Sequence, residues 1–283
     1  MSLPFIAADE IERRLGGVRA VDALEAALVG GLDPEGDPPR GVVELDGGQL
    51  LVMPSAAGGH PVVKLVTVGG EPRVQGVCVI FDGTTLAPVA VADGIAITNI
   101  RTAAVSALAV RHLAVPDARR LVVFGRGPQA HAHVAAMRAI RPIEQVDLLG
   151  REATGRDELV AAADIVCCCT TAREPLFDGT LVADHATVVA IGSHEPGARE
   201  TDAALAARAT VVVESRTSAL REAGDVILAI DAGAVSADVL VTLAALVRGE
   251  ATPSVDRPRL FKSTGMAWED AVVAAALRDV VPG

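Results

Sequence analysis

Apolar positions change their spacing along the chain. Between residues 7 and 29 they recur at helical intervals in two pieces: Asp9 can cap a helix through Leu15, Gly16-Gly17 breaks it, and the pattern resumes over 18–29. A loop rich in glycine, proline and aspartate follows, closed by Arg40 ahead of VVEL. From Val42 to Thr98 the runs become β-branched and short: GQLLVMP, VVKLVTV, RVQGVCVIFD and LAPVAVADG. Glycine and aspartate turns separate them, and Asp82-Gly83-Thr84-Thr85 reads as a hairpin turn, so this part predicts an antiparallel meander. A helix of small residues then opens near Thr98 and runs past Ala109. Beyond it, short apolar strands alternate with helices. The strands are Leu121–Phe124, Val146–Leu149, Asp164–Cys169, Thr187–Ile191 and Thr210–Val213, with helix continuing to Val247. The tail from Leu260 reads as a turn feeding a last helix that packs back on the first part.

The first strand of that alternation ends in Gly125-Arg126-Gly127-Pro128-Gln129-Ala130. Strand, glycine turn, helix and strand in this order form the opening βαβ unit of a dinucleotide-binding fold. Gly125 permits the tight turn, Gly127 lets the backbone approach a pyrophosphate, and Ala130 allows the helix to pack close on the strand. Unpaired N–H groups at the helix start then face the phosphates, and Pro128 is tolerated in a first helical turn. At the end of the second strand an acidic residue would bind the ribose 2′-hydroxyl of NAD. The chain has Gly150-Arg151 instead, and an arginine there can pair with a 2′-phosphate, which favours NADP. Arg151 as a solvated loop charge, with Glu152 or Asp157 nearer the ribose, is the alternative.

Composition narrows the classes. Of 283 residues, 51% are hydrophobic and only 2% aromatic, so the core is built from Ala, Val, Leu and Ile, as suits α/β layers. The formal net charge of −11, without a basic block, argues against nucleic acid or an anionic membrane as partner. The start shows no secretory pattern and no run reaches the length of a membrane span. Cys78 and the consecutive Cys167 to Cys169 lack metal-ligand spacing and read as buried thiols of a reducing cytoplasm.

Other chemistry concentrates in a few places. Lys64 stands inside an apolar strand, either as an edge-strand lysine facing water or as a cation directed into a cavity. In Thr98-Asn99-Ile100-Arg101-Thr102 an arginine flanked by threonines opens the small-residue helix. Its free N–H groups, hydroxyls and guanidinium would make an anion site, with Thr98 or a neighbour as cap. Ligands of open α/β sheets bind beyond the carboxyl ends of strands, which nominates Thr170, Gly192, Ser193 and His194. His131 and His133, two apart on a helix, do not face one another, and His60 reads as a solvated turn residue.

Taken as one piece, TNIRTAAVSALA, a short spacer and LVVFGRGPQA with its helix ending MRAIRPI resemble the ornithine cyclodeaminase/μ-crystallin family. Met53-Pro54, the lone Lys64, VQGVCVIFD, AIGSHEPGARETD, EAGD and FKSTGMAWED keep the family's order over nearly the whole chain. The resemblance implies an α/β protein of two domains. Residues 1–100 with 255–283 would form an α+β substrate and dimerisation domain with an antiparallel sheet, and 101–254 a Rossmann NAD(P)-binding domain. It implies a cytoplasmic homodimer joined through the β-domain. It also implies roles by position: Arg40, Lys64 and Arg101 around a substrate carboxylate, with Lys64 also catalytic. Thr98, Thr102, Gly125, Arg126, Gly127, Gln129, Ala130, Arg151, Thr170 and Gly192 would contact the cofactor. Family cyclodeaminases carry an aspartate where this chain has His194. Histidine can relay a proton near neutral pH but cannot supply a permanent negative charge to a second ammonium. The expected activity is therefore NAD(P)-dependent reduction of an imino acid, or the reverse amino-acid dehydrogenation. Ornithine cyclodeamination with bound NAD is the alternative, and a non-enzymatic binding protein is disfavoured by the intact phosphate turn and arginine motif.

Overall fold

In the computed structural model, residues 3–278 are described, so the extreme ends of the expected first domain, 1–2 and 279–283, lie outside the described residues. The chain divides into two compact units. One comprises the described residues up to Val105 and from Met266 onward, and the other is Ser106–Gly265.

The first unit begins with β1 (Phe5–Ile6), α1 (Ala8–Leu15) and α2 (Arg19–Val29). The meander follows as β2 (Gly41–Leu45), β3 (Gly48–Ser55), β4 (Val62–Val68), β5 (Val74–Phe81) and β6 (Pro88–Asp93). Its sheet runs β1-β6-β5-β4-β3-β2, antiparallel except for the β1–β6 pair. Alternation along β3 and β4 buries Leu51, Met53, Val62, Lys64 and Val66. The turn after β5 is organised by Asp82, whose carboxylate accepts from the N–H groups of Thr84 (3.0 Å) and Thr85 (2.8 Å).

Helix α3 (Gly94–Leu113) starts a full turn earlier than the sequence predicts. Asp93, not Thr98, caps it, accepting from Ile95 N–H and Ala96 N–H at 2.9 Å each. Thr98 lies inside the helix and donates its hydroxyl to the Gly94 carbonyl (2.7 Å). The apolar GIAI segment is compatible with either strand or helix, and the strong cap at Asp93 decides for helix. The expected free N–H groups at Thr98 are consequently spent within the helix.

The second unit carries β7 (Arg120–Phe124), α4 (Pro128–Ile140), β8 (Gln145–Leu149), α5 (Arg156–Ala161), β9 (Ile165–Cys168) and β10 (Thr187–Ala190). It continues with α6 (Ala203–Arg208), β11 (Thr210–Val213), α7 (Arg216–Glu222), α8 (Gly224–Asp231), β12 (Val241–Thr242), α9 (Leu243–Val247) and β13 (Arg259–Lys262). All seven strands are parallel, in the order β12-β11-β13-β10-β9-β7-β8. Strands β9, β10 and β13 are buried throughout, as parallel strands covered on both faces must be. The segment 255–265, expected with the first domain as a turn, belongs here instead. Its strand β13 inserts between β10 and β11, so β11 separates it from β12, the strand before it in the chain. Two apolar residues, Leu260 and Phe261, set between Arg259 and Lys262 just after Pro258, do not announce a central strand. The chain then returns to the first unit as α10 (Ala267–Arg278).

Among the described residues no helix is long and apolar enough to cross a membrane, and no metal-binding group of three ligands is found. Cys78, Cys167, Cys168 and Cys169 are free thiols, and burial pushes Cys78 up to about 12 and raises the other three.

Candidate functional site

In the first unit, the strand pattern and a distant helix bring four charges together. Lys64 occupies a central strand, paired with Met53 of β3 and Cys78 of β5, so it is no edge lysine. It is 2% exposed. Its Nζ lies 2.9 Å from Asp270 Oδ1 and 2.8 Å from Oδ2. Arg101, on α3, reaches the same carboxylate through Nε (3.1 Å) and Glu269 through a terminal nitrogen (2.8 Å). Both acids sit in the first turn of α10, where the helix dipole favours negative charge. Burial, then the neighbouring Arg101 charge, lower the Lys64 pKa, and Asp270 opposes both. Nearby Asp37 accepts from the Trp268 N–H (2.8 Å) and from the Ser55 hydroxyl (2.6 Å), and burial raises its pKa. Arg40 is half-buried immediately before β2. Thr102 is buried one residue after Arg101.

Glu269 and Asp270 were not candidates from sequence. The only signal was their place in FKSTGMAWED, because the bonds that define them span 168 to 206 residues.

In the second unit the glycine turn has distinct requirements at its two glycines. Gly125 has φ of +118°, and a Cβ there would stand 2.5 Å from the Cys169 carbonyl oxygen. At Gly127 a Cβ would meet nothing within 4 Å. Gly127 is the N-cap residue of α4 and, having no side chain, makes no side-chain cap. Ala130 is fully buried under the helix and Gln129 is half-buried.

A cavity of about 570 Å³ opens beside this turn, lined among others by Arg126, Arg151, Arg156, Thr170 and Thr171. Arg151 is exposed, and its carbonyl accepts a hydrogen bond from the Arg156 guanidinium. Arg156 also donates to the Ala153 carbonyl (3.0 Å). Among the described residues none of these three arginines pairs with a carboxylate. Arg156 was missed by sequence reasoning: it lies beyond the strand end where a cofactor charge is usually sought, and a tight turn returns it.

Thr170 and Gly192 follow β9 and β10, and a Cβ on Gly192 would lie 1.9 Å from the Thr170 carbonyl oxygen, so glycine is obligatory there. His194 is half-buried two residues further on. His60, expected to be solvated, is half-buried and its Nδ1 accepts from Gly83 N–H (3.2 Å).

His133 also has a definite role. Fully buried on α4, it lies 2.8 Å through Nδ1 from the Gln129 carbonyl and 2.9 Å through Nε2 from the Ser106 hydroxyl. A carbonyl only accepts, so Nδ1 carries the proton and Nε2 accepts from Ser106. Burial pushes its pKa from 6.5 down to about 4. The unfolded chain therefore takes up a proton between those values that the folded chain refuses. Stability on the order of 3 kcal/mol is expected to be present above the unfolded value and lost as pH falls towards 4. Urea unfolding at pH 7 and pH 4.5 tests this: His133→Gln should be weaker at pH 7 but lose clearly less than the wild type on acidification.

The pattern of the whole chain matches the model of the ornithine cyclodeaminase/mu-crystallin family over residues 5–158 and 151–283. The chain belongs to this family. Rat ketimine reductase mu-crystallin is 33% identical over 307 aligned positions, covering 97% of this chain and 96% of that protein. Delta(1)-pyrroline-2-carboxylate reductase of Colwellia psychrerythraea is 36% identical, covering 69% of this chain and 70% of that protein. Among solved structures, Delta(1)-pyrroline-2-carboxylate reductase of Thermococcus litoralis, in complex with NADH and L-proline, superposes with a TM-score of 0.89. It is 25% identical and covers 98% of this chain and 97% of that one.

Proposed function

We propose that this family member is a nicotinamide-dependent reductase of imino acids, run in reverse as an amino-acid dehydrogenase. The observation that carries the reading is the buried pairing of Lys64 and Arg101 on one carboxylate, in a chain whose other unit has a dinucleotide turn. Relatives named as ketimine and pyrroline-2-carboxylate reductases support it.

The chain's own residues fit a dinucleotide. Gly127 leaves open space where a side chain would stand and supplies no side-chain cap to α4, and among the described residues the three arginines lining the adjacent cavity pair with no carboxylate. Gly125, Gly127, Gln129 and Ala130 would hold the pyrophosphate turn, with Thr98, Thr102, Thr170 and Gly192 as further contacts. Arg151, with Arg126 and Arg156, would bind a 2′-phosphate, so we take NADP as the preferred form over NAD. When bound, the reduced nicotinamide supplies hydride to the α-carbon of the substrate.

Arg101 and Lys64 would fix the substrate carboxylate, with Arg40 as a third cation. A guanidinium has five donors and an ammonium three, so both can hold a second carboxylate while keeping Asp270 and Glu269. Asp270 orients the two cations and stops them from repelling one another apart. Reduction of C=N also needs a proton on nitrogen. Lys64, whose lowered pKa eases proton release, or His194 through an ordered water, would deliver it.

We infer a homodimer through β2, an edge strand whose Val42, Val43 and Leu45 are 48–50% exposed. Four free cysteines support placement in the reducing cytoplasm.

The test is oxidation of NADPH and NADH with pyrroline-2-carboxylate, piperideine-2-carboxylate, and pyruvate plus an amine, with ornithine-to-proline conversion in parallel. Turnover with NADPH and a cyclic imino acid is expected. Changing Arg151 and Arg156 together to serine should raise KM for NADPH roughly 10- to 100-fold, the worth of one or two charge-assisted bonds, and leave NADH constants nearly unchanged. No oxidation with any imine overturns the reading. Proline from ornithine without net cofactor change would replace it with cyclodeamination.

A further inference from the structure

Behind the loops that follow β9, β10 and β13 lies a fully buried network to which no role has yet been given. Glu200 joins two of these loops through one carboxylate. Its Oε1 accepts from the Thr170 N–H (2.8 Å) and the Thr170 hydroxyl (2.7 Å), and its Oε2 accepts from the Gly192 N–H (2.7 Å). Two of these partners are backbone N–H groups, which can only donate, and one falls on each carboxylate oxygen. Glu200 is in turn anchored: its own N–H and that of Thr201 donate to Asp225 Oδ1 at 2.8 Å each. Asp225 Oδ2 lies 3.0 Å from Lys262 Nζ, and Lys262 donates to the Ser193 carbonyl (2.8 Å), one residue before His194. Glu200, Asp225 and Lys262 are each at most 1% exposed.

Burial of three charges is costly, and a mere structural purpose could be served by apolar packing of similar volume. What the charges do here is fix backbone groups at the carboxyl ends of parallel strands, where ligands of such sheets bind. Burial raises the Glu200 pKa against the opposing pull of Lys262. For Asp225, burial would also raise the pKa, but Lys262 and the Thr201 and Glu200 N–H groups outweigh it and hold it down.

We propose that Glu200 is a positioning residue for dinucleotide binding: its carboxylate clasps Thr170 to Gly192 and so presets the two loops that meet the cofactor. Asp225 and Lys262 hold the clasp but do not form it. The inference rests on the proposed function, in that Thr170 and Gly192 face a nicotinamide dinucleotide.

The experiment is a fluorescence titration of NADPH into the full-length protein without substrate, alongside thermal melting and steady-state kinetics. Glu200→Gln loses an acceptor, so the Thr170 or Gly192 donors lose their partner. Its Kd for NADPH should rise about tenfold, as expected for one lost charge-assisted bond, and KM for NADPH should follow while kcat changes little. Asp225→Asn keeps an oxygen for the Glu200 and Thr201 N–H groups. It should lower the melting temperature and leave Kd within about threefold, on the same scale of energies. Should Glu200→Gln fail to fold, Glu200→Asp keeps the charge but shortens the reach, and is expected to weaken NADPH binding as well. Unchanged Kd in folded Glu200 variants overturns the proposal, as does an equal loss in Asp225→Asn, which would mark general destabilisation. Absence of NADPH and NADH binding by the wild type would instead overturn the proposed function, and the inference with it.

Discussion

Replacing Lys64 with methionine is expected to lower kcat/KM for a cyclic imino acid by roughly 10²- to 10⁴-fold, the range for losing a positioned proton donor together with a carboxylate contact. The side chain is matched in length and apolar, so it fills the strand position between Met53 and Cys78. Asp270 keeps Arg101 at 3.1 Å, so its buried charge is not left alone. The stability cost should therefore fall below the roughly 3–5 kcal/mol of a buried acid stripped of every partner. Steady-state kinetics with NADPH, set beside urea unfolding, separates the two effects. A loss confined to KM for the imino acid would restrict Lys64 to carboxylate binding. A variant that turns over normally would remove Lys64 from the site altogether and sink the proposed function's account of substrate recognition.

The second large effect contrasts two glycines two residues apart. Gly127→Ala adds a methyl group to open space, so the fold should be unchanged while NADPH affinity falls roughly 10- to 100-fold. Gly125→Ala places its methyl 2.5 Å from the Cys169 carbonyl oxygen at a φ of +118°, so the turn or the backbone just after β9 must give way. That variant is expected to lose melting temperature as well as binding. Melting curves and NADPH titrations on both proteins decide the matter. Equal melting losses would contradict the distinction, and undiminished affinity in Gly127→Ala would remove the pyrophosphate from that turn.

The glycine turn was legible before any coordinates because it is local: strand, turn, helix and strand within about thirty residues each leave their own periodicity. The start of α3 was not. GIAI suits strand or helix alike, and from sequence the helix is expected to open only near Thr98, with Thr98 or a neighbour as its cap. Asp93 was available as the stronger cap, and its two accepted N–H bonds set the boundary.

Sequence alone determined the fold class, the order of the two kinds of sheet and the glycine turn between strand and helix, and it nominated Lys64 and Arg101 as candidates. Each of these depends on residues close together or on a family pattern kept over the whole chain. Only the tertiary structure decided what those cations face, because Asp270 and Glu269 arrive on a helix up to 206 residues away. Tertiary structure likewise decided that Lys64 is central and buried, that β13 enters the middle of the parallel sheet, and that Glu200 ties two loops through one carboxylate. Strand order and buried ion pairs are properties of closure in three dimensions. They leave no period in the chain, since the partners they join are chosen by packing and by the need to neutralise buried charge.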